Sequence, residues 1–166
     1  LPCAKELLIY GIQRVPGSFG LAALVSLPAI ITAHIAGIKE AGYVAFGTSM
    51  LFMTGSVFAP FGLVFLPKAS QLIARKDMQK FKQYILKLAG ITILITLVGL
   101  IIFEVFADAI IKLYLGKTFA ELVVVARITM LGCLAYTLFV TLRSVLDAYY
   151  VKAINTINIV ITLFFF

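Results

Sequence analysis

The sequence predicts an all-α, multi-pass transmembrane helical bundle, and three observations lead there. Hydrophobic residues make up 63% of the 166 and mean hydropathy is +1.12, while charged residues are 13%, about half the share of a soluble domain. The few charges are clustered, which leaves uncharged runs of about 18 residues or more, long enough to cross a hydrocarbon core of about 30 Å. The third observation is where the cations fall. Lys68, Arg75, Lys76, Lys80, Lys82 and Lys87, against the single anion Asp77, sit together between two long apolar runs.

The first run extends from Val15 to Ile38 and the second from Ala41 to Pro67, with Lys39 and Glu40 between them as a tight hairpin. A third span is expected at about 86–106. Its apolar stretch Leu88 to Phe103 is bounded by Lys87 and Glu104, and it reaches span length if Lys87 snorkels toward the headgroups. A fourth, at about 122–142, gains length in the same way from Arg127 and Arg143. The fifth starts near Ala153 and continues to Phe166. Because the chain opens without an initiator Met or a basic leader region and closes inside an apolar run, a piece of a longer protein is expected.

Alternating the loops across the bilayer tests this arrangement. With the first span starting inside, the inner side collects Lys5, Arg14, the six clustered cations, Arg143 and Lys152 against Glu6, Asp77 and Asp147. The outer side collects Lys39, Lys112, Lys117 and Arg127 against Glu40, Glu104, Asp108 and Glu121. The whole formal charge of +7 then lies inside, as the positive-inside bias requires, and the N-terminus of this chain is expected to be cytoplasmic. The basic pI is therefore read as a topology signal. No soluble basic face with interleaved aromatics suggests nucleic acid as a partner.

Shorter elements punctuate the spans. Ala74, Met78, Phe81, Ile85 and Leu88 recur at spacings of three and four, opposite Arg75, Lys76, Lys80, Lys82, Gln83 and Lys87. That pattern predicts an amphipathic cytoplasmic helix at about 71–85, read either as a contact with anionic lipid headgroups or as a solvated linker. On the outer side Asp108 is expected to cap a short helix through Leu115 that Gly116 ends. Pro28 interrupts the first span, and Gly55, Pro60, Gly62 and Pro67 are expected to loosen the second, as in transporters with bent helices. Cys3 and Cys133 fall on opposite sides of the lipid barrier and are expected to be free thiols.

Catalytic parts are few. One His, no Cys/His cluster, no close carboxylate pair and no Gly-rich phosphate loop argue against an enzyme, and the residues suggest no cofactor or metal. Polar groups in lipid are the remaining candidates, since each is costly there. Arg14 with Gln13 lies at the inner mouth of the first span, where a guanidinium can grip a phosphate bidentately or simply snorkel. His34, in the outer part of that span, is a candidate protonation switch or hydrogen-bond donor to a sugar, against a plain interfacial histidine. Arg143 and Asp147 are four apart, as in a local helix pair. Glu104 near the outer edge of the third span is a candidate for coupling to an ion.

Five segments in order resemble the C-terminal half of bacterial polysaccharide flippases, the Wzx-like O-antigen and capsule repeat-unit transporters of the multidrug/oligosaccharidyl-lipid/polysaccharide exporter superfamily. Leu7 to Gly17 is similar to the entry into that family's seventh helix, and Ala36 to Tyr43 to its turn between paired helices. Pro60 to Ser70 is similar to its exit into a basic inner loop, Ile110 to Phe119 to an outer motif, and Leu146 to Tyr150 to an inner one. The resemblance covers nearly the whole chain. It implies part of one six-helix lobe of a two-lobe exporter fold in the bacterial cytoplasmic (inner) membrane, with an N-terminal lobe of the same full-length protein as partner.

It also implies transport of undecaprenyl-pyrophosphate-linked oligosaccharides from the inner to the outer leaflet for surface polysaccharide biosynthesis. Arg14 would be the contact to pyrophosphate, with Gln13, His34 and Arg143 as further substrate candidates and Glu104 and His34 as ion-coupling candidates. Two other readings stand beside it. A drug or small-solute cation antiporter of the same superfamily would be favoured by a carboxylate in the lobe centre. A membrane-embedded glycosyltransferase or ligase would need acidic residues or a large extracytoplasmic loop to hold a metal or activate a hydroxyl, and the outer loops here are short.

Overall fold

Pro16 opens the first helix, α1 (Val15–Ile35), in the first turn, where a missing amide costs no hydrogen bond. In the computed structural model, residues 11–12, 14–116, 119–149 and 154–165 are described, and every regular element among them is a helix. Helix α1 closes through hydrogen bonds from the Ala36 and Gly37 amides to the Thr32 carbonyl. Gly37, at φ 114°, reverses the chain in a conformation that a side chain would strain. The hairpin expected at Lys39 and Glu40 is therefore made two residues earlier. Lys39 and Glu40 already belong to α2 (Ile38–Ala74), with Glu40 near the positive end of its dipole.

Helix α2 has 37 residues, about 55 Å of helix, and it runs unbroken through Pro60 and Pro67. The loosening expected from Gly55, Pro60, Gly62 and Pro67 is corrected by what the small residues do. Gly47, Gly55, Gly62 and Ala69, seven or eight apart, are all buried on one stripe. A Cβ on Gly47 would meet Thr129 and one on Gly55 would meet the Tyr136 ring, so the missing side chains admit neighbouring helices close to the α2 backbone.

A turn at Arg75, Lys76 and Asp77 joins α2 to α3 (Met78–Leu115), with Lys76 at φ 56° and the Asp77 carboxylate accepting the Lys80 amide at 3.1 Å. This turn divides the amphipathic helix expected at 71–85. Ala74 ends α2, and Met78 to Leu88 are the first turns of the 38-residue α3. Part of their apolar face packs into the bundle. Phe81 and Leu88 are buried with Ala69 and Val145, while Lys80, Lys82 and Lys87 stay exposed. At the other end α3 is kinked at Phe106 (φ −107°, ψ 15°) and ends at Gly116 in the left-handed region. Two helical segments thus meet across the kink, and the second, short one ends at Gly116 as expected; the Asp108 carboxylate, two residues past the break, accepts from Arg127 Nη2 at 3.1 Å instead of capping it.

The fourth apolar stretch is two helices, α4 (Ala120–Leu131) and α5 (Cys133–Tyr149), bent by 44° at Gly132. The last helix, α6 (Ile154–Phe165), has 12 described residues, about 18 Å. The α4–α5 arm packs along α2 and also against α3, which itself touches α2 where Tyr84 meets Phe65; α1 lies between α2 and α6. Leu100, Phe103, Ala107 and Ile111 pack on Leu122, Val123, Ala126 and Met130 in one cluster. Inside the α3–α5 contact the Thr96 and Thr137 hydroxyls are 3.0 Å apart, and Thr137 also donates to the Cys133 carbonyl.

Three helices, α1 to α3, are long and apolar enough to cross a bilayer, and the bent α4–α5 pair makes four if taken as one span. Only 6% to 17% of the most apolar stretch of α1 to α3 is buried, and Phe19, Val64 and Leu94 among others point outward. Apolar surface on that scale needs hydrocarbon rather than water around it. The protein is an all-α membrane-embedded bundle. The Arg75–Asp77 turn and Lys39 lie at opposite ends of α2, called here the basic end and the hairpin end.

Candidate anion site at the basic end

Three helix ends meet at the basic end. Arg14 immediately precedes α1, Arg143 and Asp147 occupy successive turns of α5, and Asn155 lies in the first turn of α6. Glycine makes this meeting possible. A Cβ on Gly17 would stand 2.6 Å from Thr156 Oγ1, so α1 and α6 touch nearly backbone to side chain about one turn from Arg14 and next to Asn155.

Asp147 is the shared partner. Its Oδ1 lies 3.6 Å from Arg14 Nη2 and its Oδ2 lies 4.0 Å from Arg143 Nε. Asn155 Nδ2 donates to Oδ1 at 2.9 Å, and Arg14 Nη2 also donates to the Asp147 backbone carbonyl at 3.4 Å. The Arg143 guanidinium sits 5.7 Å from the centre of the Phe139 ring, within cation–π range. Arg14 and Asp147 keep only 20% and 24% of their side-chain surface, so their charges interact in a medium less polar than bulk water. With two guanidiniums and one carboxylate, the trio has a formal charge of +1. Such a cluster can hold an anion, and planar guanidiniums suit phosphate oxygens.

The structure thus brings together Arg14 and Arg143, which are 129 positions apart in sequence. Gln13 lies outside the described residues. His34 is at the far end of α1, about 30 Å of helix away, exposed, with Nδ1 3.1 Å from the Ile30 carbonyl of its own helix. It therefore belongs to no common site with Arg14, since the length of α1 lies between them. Glu104 is on α3, near the hairpin end, where Arg127 Nε approaches it at 3.9 Å and Arg127 Nη2 donates to Asp108 at 3.1 Å. Among the described residues α1 and α3 do not touch, so the two ion-coupling candidates His34 and Glu104 are not joined.

Asn155 and Phe139 were not singled out from sequence. The signal for Asn155 was present, because an amide inside an apolar helix is a costly placement that asks for a partner. Elsewhere a cleft of about 400 Å³ opens beside α2 and α3, lined among others by Met50, Met53, Val57, Phe61, Ile102 and Phe103, with no charged group. It offers nothing to an anion. No cluster of three or more His, Cys, Asp or Glu is present among the described residues.

Fold and site together define an integral membrane helix bundle with a cationic cluster where three helices end. No family model, curated protein or solved structure matches the chain.

Proposed function

We propose that this bundle is part of a flippase that moves lipid-linked oligosaccharides across the bacterial cytoplasmic membrane, with its basic end on the cytoplasmic side. The observation that supports this most directly is the convergence of Arg14 and Arg143 on one carboxylate at the end of the bundle that collects the clustered cations. A diphosphate-sugar headgroup cannot cross about 30 Å of hydrocarbon unaided, because unpaired charge is expensive there, so a carrier needs cations at the entrance and a partner lobe to enclose the path. The resemblance of five segments to polysaccharide flippases supplies the substrate class, undecaprenyl-pyrophosphate-linked oligosaccharide, and the N-terminal lobe as partner. Bent helices fit the same work, and the bend at Gly132 and the kink at Phe106 are where rocking motions would be absorbed.

The test is a flipping assay in proteoliposomes carrying a fluorescent polyprenyl-diphosphate oligosaccharide. Arg14→Gln and Arg143→Gln are each expected to lower the flipping rate at least tenfold. Unchanged rates in both would overturn the reading. Coupling to an ion through Glu104 or His34 is tested in the same vesicles by collapsing the gradients, since rates that do not change exclude it.

A further inference from the structure

The carboxylate in the anion site is held in an unusual way. Neither guanidinium separation, 3.6 Å from Arg14 and 4.0 Å from Arg143, reaches the 2.7 to 2.9 Å or so of a charge-assisted hydrogen bond. The short bond to Asp147 comes from the neutral Asn155 amide, at 2.9 Å, and the same amide reaches the Arg143 carbonyl at 3.5 Å. Asp147 is thus positioned by α6 and lies beside the two cations without being locked to them.

From this we infer that Asp147 is a built-in competitor for the site: it occupies the two guanidiniums when no cargo is bound and gives them up to a diphosphate group that enters. The inference rests on the proposed reading of Arg14 and Arg143 as phosphate contacts. A diphosphate carries more negative charge than one carboxylate and offers several oxygens in the geometry that guanidinium forks match, so it displaces Asp147 from the cations. Asn155 keeps its hydrogen bond to Asp147 during the exchange, which spares the released carboxylate from being left without a donor. When the cargo departs, Asp147 takes the guanidiniums back. The two half-buried cations then regain a carboxylate beside them, and the cost of release is lowered on the return of the empty carrier.

The experiment measures diphosphate affinity with the protein in phosphatidylcholine nanodiscs, in two arms: inorganic pyrophosphate by titration calorimetry, and polyprenyl diphosphate doped into the lipid. Asp147→Asn keeps the side-chain shape and an oxygen for Asn155 but removes the competing charge, and it is expected to tighten binding about tenfold. Asn155→Asp places a second carboxylate beside the same cations and is expected to weaken binding by a similar factor. It also keeps the inference open to test should the first variant fold poorly. Tightening by Asp147→Asn in either arm supports the competitor, and the arm in which it is seen says whether the diphosphate is lipid-borne or free. Equal or weaker binding by Asp147→Asn, with Arg14→Gln and Arg143→Gln still impaired, overturns the competitor and leaves the anion site standing. Unimpaired binding by both arginine variants overturns the anion site itself, and the competitor with it.

Discussion

Gly62 of α2 lies so close to Thr141 of α5 that a Cβ added to it would stand 2.7 Å from the Thr141 carbonyl oxygen and 2.9 Å from Ser144 Oγ. Backbone cannot give way as a flexible side chain can. Gly62→Val is therefore expected to push α2 and α5 apart and to cost about 1 to 3 kcal/mol, the usual range for overpacking. Gly90, also in a helix, has nothing within 4 Å of its would-be Cβ. Gly90→Ala is expected to be neutral or to stabilise by up to about 1 kcal/mol through helix propensity alone. Thermal unfolding in detergent, read by circular dichroism, separates the two; equal losses would mean that the glycine stripe is not a packing surface.

The threonines between α3 and α5 differ in what they lose. Thr96 and Thr137 share a bond at 3.0 Å, and Thr96→Val removes it while Thr137 keeps its bond to the Cys133 carbonyl. The expected loss is about 0.6 to 1.7 kcal/mol, the range of interhelical hydrogen bonds in membrane proteins. Thr141 Oγ1 is buried and makes no hydrogen bond among the described residues. Thr141→Val removes an unsatisfied group and is expected to be neutral or stabilising by the same unfolding measurement. A loss at Thr141 as large as that at Thr96 would contradict this assignment.

At the hairpin end Lys39 Nζ donates to Glu121 Oε2 at 2.8 Å, joining the start of α2 to the start of α4. This bond holds the Glu121 carboxyl below its ordinary range and the Lys39 ammonium above its own. The sign follows from linkage. What Glu121 contributes is fully present above an ordinary Glu value of about 4.3 and is lost as pH falls through its lowered value. What Lys39 contributes is fully present below about 10.4 and is lost as pH rises through its raised value. Stability from this pair is therefore flat between about pH 5 and 9 and falls at both extremes. Both groups are exposed, so the effect shrinks with added salt. Unfolding midpoints of the protein and Lys39→Gln, compared from pH 3 to 8, should converge as the solution becomes acidic; a constant gap would argue against the pair.

Arg127 bridges two carboxylates that flank the break in α3. Glu104 precedes Phe106 and Asp108 follows it, and Arg127 of α4 lies within ion-pair distance of both. A guanidinium so placed fixes the two sides of the kink relative to each other. Arg127→Gln is expected to raise amide hydrogen exchange several-fold across residues 104–110 while leaving 82–96 unchanged. Uniform acceleration along the whole helix would show a global loss of stability in place of a local clamp.

Much of the fold was legible along the chain, for particular reasons. The apolar runs beginning at Val15, near Ala41 and near Leu88 appear as α1, α2 and α3, because in hydrocarbon a backbone must satisfy its own hydrogen bonds and a helix does so within the segment. Boundaries were less legible. The amphipathic stretch at 71–85 carries the right period but contains a turn, since Asp77 caps a new helix and Lys76 adopts a positive φ, and periodicity is blind to both. The Pro60 and Pro67 positions read as weak points, yet α2 passes through them unbroken, while the break at Gly132 had no proline to announce it.

Runs of apolar side chains and the charge placed between them are local quantities, and they fix the solvent of this protein and the order of its three longest rods. That Arg14, Arg143, Asp147 and Asn155 meet, and that His34 and Glu104 stay apart, follows from the packing of the helices. Such meetings depend on which helix faces turn toward each other. That choice is made by close contacts such as Gly17 with Thr156 and Gly62 with Thr141, between residues far apart along the chain.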